Sequence, residues 1–137
     1  MQKSQTDARI IFLTKKFSFA AAHRLLNYKG KSKCKNLHGH TYLLEVSITG
    51  KINKKTGMIV DFEILEEVVN TFVLKKLDHQ YVNDIIQIPT AENIIKWIWN
   101  SLSEGFKKYD IELFMLTLWE TPTSCVVYKR LFEKLMN

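Results

Sequence analysis

Apolar and polar residues alternate along positions 9–23, and Phe17, Phe19, Ala21 and His23 share one parity. Period-two alternation marks a strand with one buried face, so a first β-strand is expected there with His23 on its apolar side. A second alternating run covers 38–51, and the Lys-, Gly-, Ser- and Asn-rich segment between the two reads as a loop. Asn53 to Gly57 forms a polar turn. From Asp61 the spacing changes to three-and-four, and Phe62, Leu65, Val69, Phe72 and Val73 mark the buried stripe of a helix running to about Leu77. Asp61 suits its N-cap, Glu63 its first turn, and Lys75 and Lys76 its last turn, where cations favour the helix dipole. A loop from Asp78 to Pro89 leads to a second helix, capped by Thr90 and weakened at its end by Gly105. Its apolar stripe is Ile94, Ile95, Ile98, Trp99, Leu102 and Phe106. Residues 111–120 then read as a third strand and 124–131 as a short fourth that can pass into helix. The order β-β-α-α-β-β, without βαβ alternation, predicts an α+β fold: a four-stranded antiparallel sheet with two helices on one face. The edges of such a sheet need pairing or cover.

The 137 residues suit one domain, 1–137, with a core that needs no disulfide or metal staple. Residues 1–8 are polar and are expected to form a frayed tail. The apolar run Ile10 to Leu13 is too short for a signal-peptide core or a membrane span, which places the protein in the cytoplasm. Cys34 and Cys125 are then expected to be free thiols. The net charge of +6 calls for an anionic partner, a nucleic acid or a phosphorylated metabolite. Lys29, Lys31, Lys33 and Lys35 crowd the loop before the next histidine, which favours an anion there. No nucleic-acid-binding motif accompanies the charge.

The chemistry concentrates in Cys34-Lys35-Asn36-Leu37-His38-Gly39-His40. His38 and His40, two residues apart at the start of a strand, point to one face and can converge on a metal ion. Gly39 keeps side-chain bulk from between them. His23 brings a third imidazole from the neighbouring strand, and three such ligands leave a fourth zinc position open. Cys34 has two readings: a fourth ligand that closes the site, or a free thiol with a lowered pKa that acts as a base. Asp78 beside His79 is either a helix-end carboxylate or the partner that fixes an acid–base imidazole. Glu120 has the parity of Phe114, Leu116 and Leu118, and a carboxylate on an apolar face needs a partner. A ligand presenting two parallel N–H groups would supply one. Trp97 and Trp99 read as helix packing.

Phe19-Ala20-Ala21-Ala22-His23-Arg24-Leu25, Cys34-x3-His38-Gly39-His40 and Gly57-Met58-Ile59-Val60-Asp61-Phe62 occur in this order. Leu77-Asp78-His79, Pro89-Thr90-Ala91-Glu92-Asn93 and Glu120-Thr121 follow. Together these resemble the 6-pyruvoyltetrahydropterin synthase family over nearly the whole chain. The resemblance implies the tunnelling fold, with subunits joining their sheets into a barrel and stacking as a hexamer whose active sites are completed by neighbouring chains. It implies zinc on His23, His38 and His40, Cys34 as a catalytic base, Asp78 and His79 as a catalytic pair, and Glu120 as the anchor of a pterin ring. Thr90 and Glu92 fall in a matching motif as substrate contacts, although capping and exposure explain them almost as well. The three-residue gap between Cys34 and His38 is similar to that of the bacterial 6-carboxytetrahydropterin synthases of the queuosine route. That points to a lyase acting on 7,8-dihydroneopterin triphosphate with loss of triphosphate and acetaldehyde. The alternative is an enzyme that stops at 6-pyruvoyltetrahydropterin. A further alternative is a basic, zinc-stabilised polyanion-binding protein, in which Cys34 is a ligand. One departure lies at Asn83 to Pro89, which looks shorter than in the bacterial members and lacks an Asn before the proline.

Overall fold

Five strands build one sheet in the order β3-β1-β2-β4-β5. The computed structural model describes residues 9–26, 29 and 32–131. The proposed tail at 1–8, Lys31 and any helical continuation beyond Leu131 lie outside the described residues. β1 (Leu13–His23) pairs antiparallel with β2 (His38–Gly50), β2 with β4 (Ile111–Thr121), and β4 with β5 (Ser124–Lys129). These are the four antiparallel strands the alternation predicts. A fifth, β3 (Gln80–Tyr81), lies in what the sequence presents as a loop and pairs in parallel with Ala21 and Ala22 of β1. Two residues are too short a run for alternation to register.

Helices cover one face. The first runs from α1 (Phe62–Val69) through a π turn at Asn70–Leu74 into α2 (Lys75–Leu77). The Asp61 carboxylate accepts from the Glu63 N–H at 2.8 Å, as expected of an N-cap. Leu65, Val68, Val69, Val73 and Leu77 are buried, but Phe62 is 48% exposed and Phe72 only half-buried. Phe62 occupies the first turn, at the lip of an apolar cleft with Ile11 and Met58, so its place on the core stripe is corrected. α3 (Ala91–Gly105) starts at Thr90, whose hydroxyl accepts from the Asn93 N–H, and buries Ile94, Ile95, Ile98 and Leu102. Trp99, placed on the same stripe by spacing, is half-buried and packs against Tyr128 of β5.

The core lies between these helices and the sheet face carrying Phe17, Phe19, Ala21, Tyr42, Leu44, Val46 and Ile48. β4 reaches the same face only after an irregularity, because Ile48 pairs with Leu113 while Ser47 pairs with Met115. The extra residue, Phe114, leaves the core parity expected of it, and its half-buried ring stacks on Phe12 at 4.4 Å. Leu113 fills the core instead.

Gly105 is where α3 meets the first helix. A Cβ there would stand 2.6 Å from Val68 Cγ1 and 2.8 Å from the Phe72 ring. Neither the branched valine nor the ring can swing clear cheaply. Gly105→Ala is therefore expected to destabilise the fold by about 1–3 kcal/mol, the usual cost of overpacking. Denaturant unfolding checks this, and unchanged stability would disprove the close-approach argument.

Candidate metal centre and active site

Register brings the histidines together. His23 lies opposite His38 across β1 and β2, and Ala21 lies opposite His40. His23 ends the buried parity of β1 and is 1% exposed, while His38 and His40 are half-buried. One ligand nitrogen from each of the three falls within 4.8 Å of the others. The ring centroids of His23 and His38 are 4.6 Å apart, and those of His38 and His40 are 5.0 Å apart.

Backbone carbonyls fix which nitrogens face inward. His23 Nδ1 donates to the Pro89 carbonyl and His38 Nδ1 donates to the Asn36 carbonyl, both at 2.8 Å. With Nδ1 committed as donor, each ring turns Nε2 inward, and those two nitrogens stand 3.0 Å apart. Two lone pairs at that distance repel unless a cation sits between them. Burial holds the His23 and His40 pKa values below the ordinary histidine range, which favours the neutral form that ligation requires. His40 Nε2 is itself buried without a hydrogen-bond partner. The donor set fits a metal ion of the zinc type, with carbonyls as the outer partners that orient the rings.

Glu120 reaches the same place by a bulge. Trp119 pairs with Cys125 and Thr121 with Ser124, which leaves Glu120 as the unpaired residue of β4. Its Oε1 lies 3.7 Å from His40 Nε2, and its side chain is 30% exposed. Beneath the site, Tyr42 is fully buried with its hydroxyl unpartnered. Burial, with the Glu120 charge adding to it, raises its phenol pKa far above the ordinary value.

Cys34 sits half-buried in a 3-10 turn at Ser32–Lys35, and its carbonyl accepts from the Leu25 N–H at 2.9 Å. It is not part of the imidazole cluster among the described residues. Of the clustered lysines, Lys29, Lys33 and Lys35 are exposed.

Asp78 and His79 pair as expected, with His79 Nδ1 donating to the Asp78 carboxylate at 3.0 Å. The Ala20 N–H also donates to that carboxylate at 3.0 Å and, with the His79 ring, holds its pKa below the usual carboxylate range. His79 has a φ of 59°, a left-handed conformation that a histidine adopts only when its surroundings enforce it. Its N–H donates to the Ala20 carbonyl at 2.6 Å, while its side chain is 81% exposed. The ring lines an open cleft of about 500 Å³ together with Ala20, Ala22, Gly39, Thr41 and His40 of the imidazole cluster. Ala20, Ala22 and Thr41 have the parity opposite to the histidine cluster. Thr90 uses its hydroxyl as the cap of α3, and Glu92 is exposed in the first turn.

Sequence reasoning misses the Pro89 and Asn36 carbonyls, since a main-chain acceptor leaves no trace in residue identity. It also misses the buried Tyr42 hydroxyl, which alternation presents simply as core. Among the described residues, no helix is long and apolar enough to cross a membrane.

A four-strand antiparallel core backed by helices, with three imidazoles able to hold a metal at one end, defines a metal-site domain of the tunnelling-fold class. The chain belongs to the 6-pyruvoyl tetrahydropterin synthase family, whose model matches residues 12–131. It is 36% identical over 144 residues to the 6-carboxy-5,6,7,8-tetrahydropterin synthase of Haemophilus influenzae, covering 85% of this chain and 97% of that one. It is 42% identical over 116 residues to the dihydroneopterin monophosphate aldolase of Pyrococcus furiosus, covering 82% and 90%. The solved 6-pyruvoyl tetrahydropterin synthase of Caenorhabditis elegans superposes with a TM-score of 0.76 at 26% identity, covering 89% and 96%. Members of one family thus carry different activity names on a shared fold.

Proposed function

We propose that the protein is a zinc-dependent lyase that converts 7,8-dihydroneopterin triphosphate and water to 6-carboxy-5,6,7,8-tetrahydropterin, triphosphate and acetaldehyde, in 7-deazaguanine (queuosine) synthesis. The observation that carries the reading is the convergence of three oriented imidazoles with the Glu120 carboxylate 3.7 Å from one of them. The spacing of Cys34 from His38 and the similarity to the Haemophilus enzyme favour the carboxylated product.

His23, His38 and His40 would hold the zinc. Bound there, it would act as a Lewis acid on the oxygens of the substrate side chain and acidify the adjoining C–H bonds. Glu120 accepts the paired N–H groups of the pterin ring and fixes its orientation. Cys34 moves a proton on one face of the side chain. His79, its Nδ1 committed to Asp78, is left with Nε2 to exchange a proton on the opposite face. The 81% exposure of the His79 side chain in an open cleft supports a homo-oligomer, a trimer or hexamer, in which neighbouring copies complete each other's active sites. Thr90 and Glu92, beside the Pro89 that orients His23, are assigned contacts at the substrate's rim. Arg24, Lys33 and Lys35, all exposed near Cys34, are available to the triphosphate.

The runner-up stops at 6-pyruvoyltetrahydropterin, and the likeness to the Caenorhabditis enzyme supports it. Product analysis of zinc-loaded protein incubated with dihydroneopterin triphosphate separates the two. Acetaldehyde with a carboxylated tetrahydropterin is expected. A pyruvoyl product transfers the protein to the second reading. No turnover despite stoichiometric zinc rejects both and favours a polyanion-binding role.

A further inference from the structure

The segment from Asp78 to Pro89 follows the free edge of β1 and takes up its main-chain groups one residue after another. Ala20 gives its N–H to Asp78 and its carbonyl to the His79 N–H. Ala21 and Ala22 pair with Gln80 and Tyr81. Beyond the end of β1, the partner of Arg24 is a side chain: the Arg24 N–H donates to Asn83 Oδ1 and Asn83 Nδ2 donates to the Arg24 carbonyl, both at 2.9 Å. The primary amide thus exchanges both bonds with one backbone residue, in the manner of a hydrogen-bonded strand pair. Val82, next to it, is fully buried and anchors the clamp from the core.

His23 lies between Ala22 and Arg24, so this one segment holds it from two directions. Asn83 fixes the main chain on its C-terminal side, and the Pro89 carbonyl fixes its ring through Nδ1 at 2.8 Å. No other β1 residue extends a metal-ligating side chain this near the strand's end, where pairing with β2 stops at His23 and His38. Without the clamp the end would fray, and the direction of the His23 lone pair would drift. Arg24 also passes the constraint on, because its Nε donates to the Lys35 carbonyl at 3.0 Å, next to Cys34.

We infer that Asn83 is a positioning residue for the metal centre, acting through the backbone of Arg24 to hold His23 in a ligating pose. The inference rests on the reading of the three histidines as a metal site.

The test uses full-length protein and the metals zinc and cobalt(II). Metal affinity is measured by chelator competition, coordination geometry by the visible bands of the cobalt form, and fold by unfolding of the metal-free protein. Asn83→Ala is expected to weaken metal binding by about 10–100-fold, the range for losing an outer partner of a ligand, and to change the cobalt bands. Metal-free unfolding should shift far less than the affinity does. Asn83→Asp, which keeps the acceptor for the Arg24 N–H but loses the donor, is expected to fall between wild type and Asn83→Ala. It carries the test if the alanine variant does not fold. Affinity within twofold of wild type in both variants overturns the inference. So does a loss of affinity matched by an equal loss of metal-free stability with unchanged cobalt bands, which assigns Asn83 to the fold alone. If wild type itself binds neither metal, the metal-centre reading fails first, and the clamp's role falls with it.

Discussion

Replacing His38 with alanine is expected to strip the protein of metal and of measurable turnover while leaving the fold in place. His38 is half-buried at the first position of β2, so its removal opens no core cavity, and Tyr42, Leu44, Val46 and Ile48 keep the strand seated. What goes is one of three ligands whose partner nitrogen stands 3.0 Å away. Losing an outer partner of a ligand costs about 10–100-fold in affinity, and losing the ligand itself should exceed that. Metal content after gel filtration and chelator competition give the readout, with metal-free unfolding as the control. His79→Ala is the natural contrast, because its ring is not one of the clustered imidazoles and its loss should leave metal content unchanged. Full metal stoichiometry in the His38 variant would sink the three-imidazole assignment.

Much of this centre is legible in the sequence because it obeys strand parity. His23 falls in step with Phe17, Phe19 and Ala21, and His38 with His40, so period two sets the face within each strand and the β1–β2 register unites the three imidazoles. Caps are legible for a similar reason. Asp61 and Thr90 sit one residue before an apolar helical stripe and do bond the N–H two or three residues on. What escapes is whatever breaks a period without changing composition. The extra residue at Phe114 shifts the core parity of β4, and nothing in Leu113-Phe114-Met115 distinguishes a bulge from continued alternation. The unpaired Glu120 is a second such case, and here the bulge leaves the carboxylate 3.7 Å from His40. The π turn at Asn70–Leu74 likewise admits one extra residue per turn, so Val73 and Leu77 stay on the buried stripe while Phe72 slides to its edge. The Asp78–Pro89 segment hides the most. Read as a loop, it forms a strand, a side-chain clamp and a ring acceptor, because the edge of β1 offers main-chain groups that must be satisfied.

Cys34→Ala is expected to keep the metal and lose the reaction. The sequence leaves the thiol two roles, ligand or base, and four residues of separation from His38 permit either. The structure sets Cys34 apart from the three imidazoles, in a turn whose carbonyl is tied to Leu25 and whose neighbour Lys35 is tied to Arg24. The thiol is thus outside the ligand group, and a base needs only to reach the substrate. Losing a positioned acid or base typically costs about 10²–10⁴ in rate, and kcat should fall by that order while metal affinity stays within about twofold of wild type. Cys34→Ser sharpens the result. A hydroxyl is close in size but far less acidic than a thiol, so it should resemble alanine in rate if proton transfer is the role. Metal lost in step with activity in the alanine variant would close the site with a thiolate. The open coordination position on which the proposed lyase chemistry depends would then be gone.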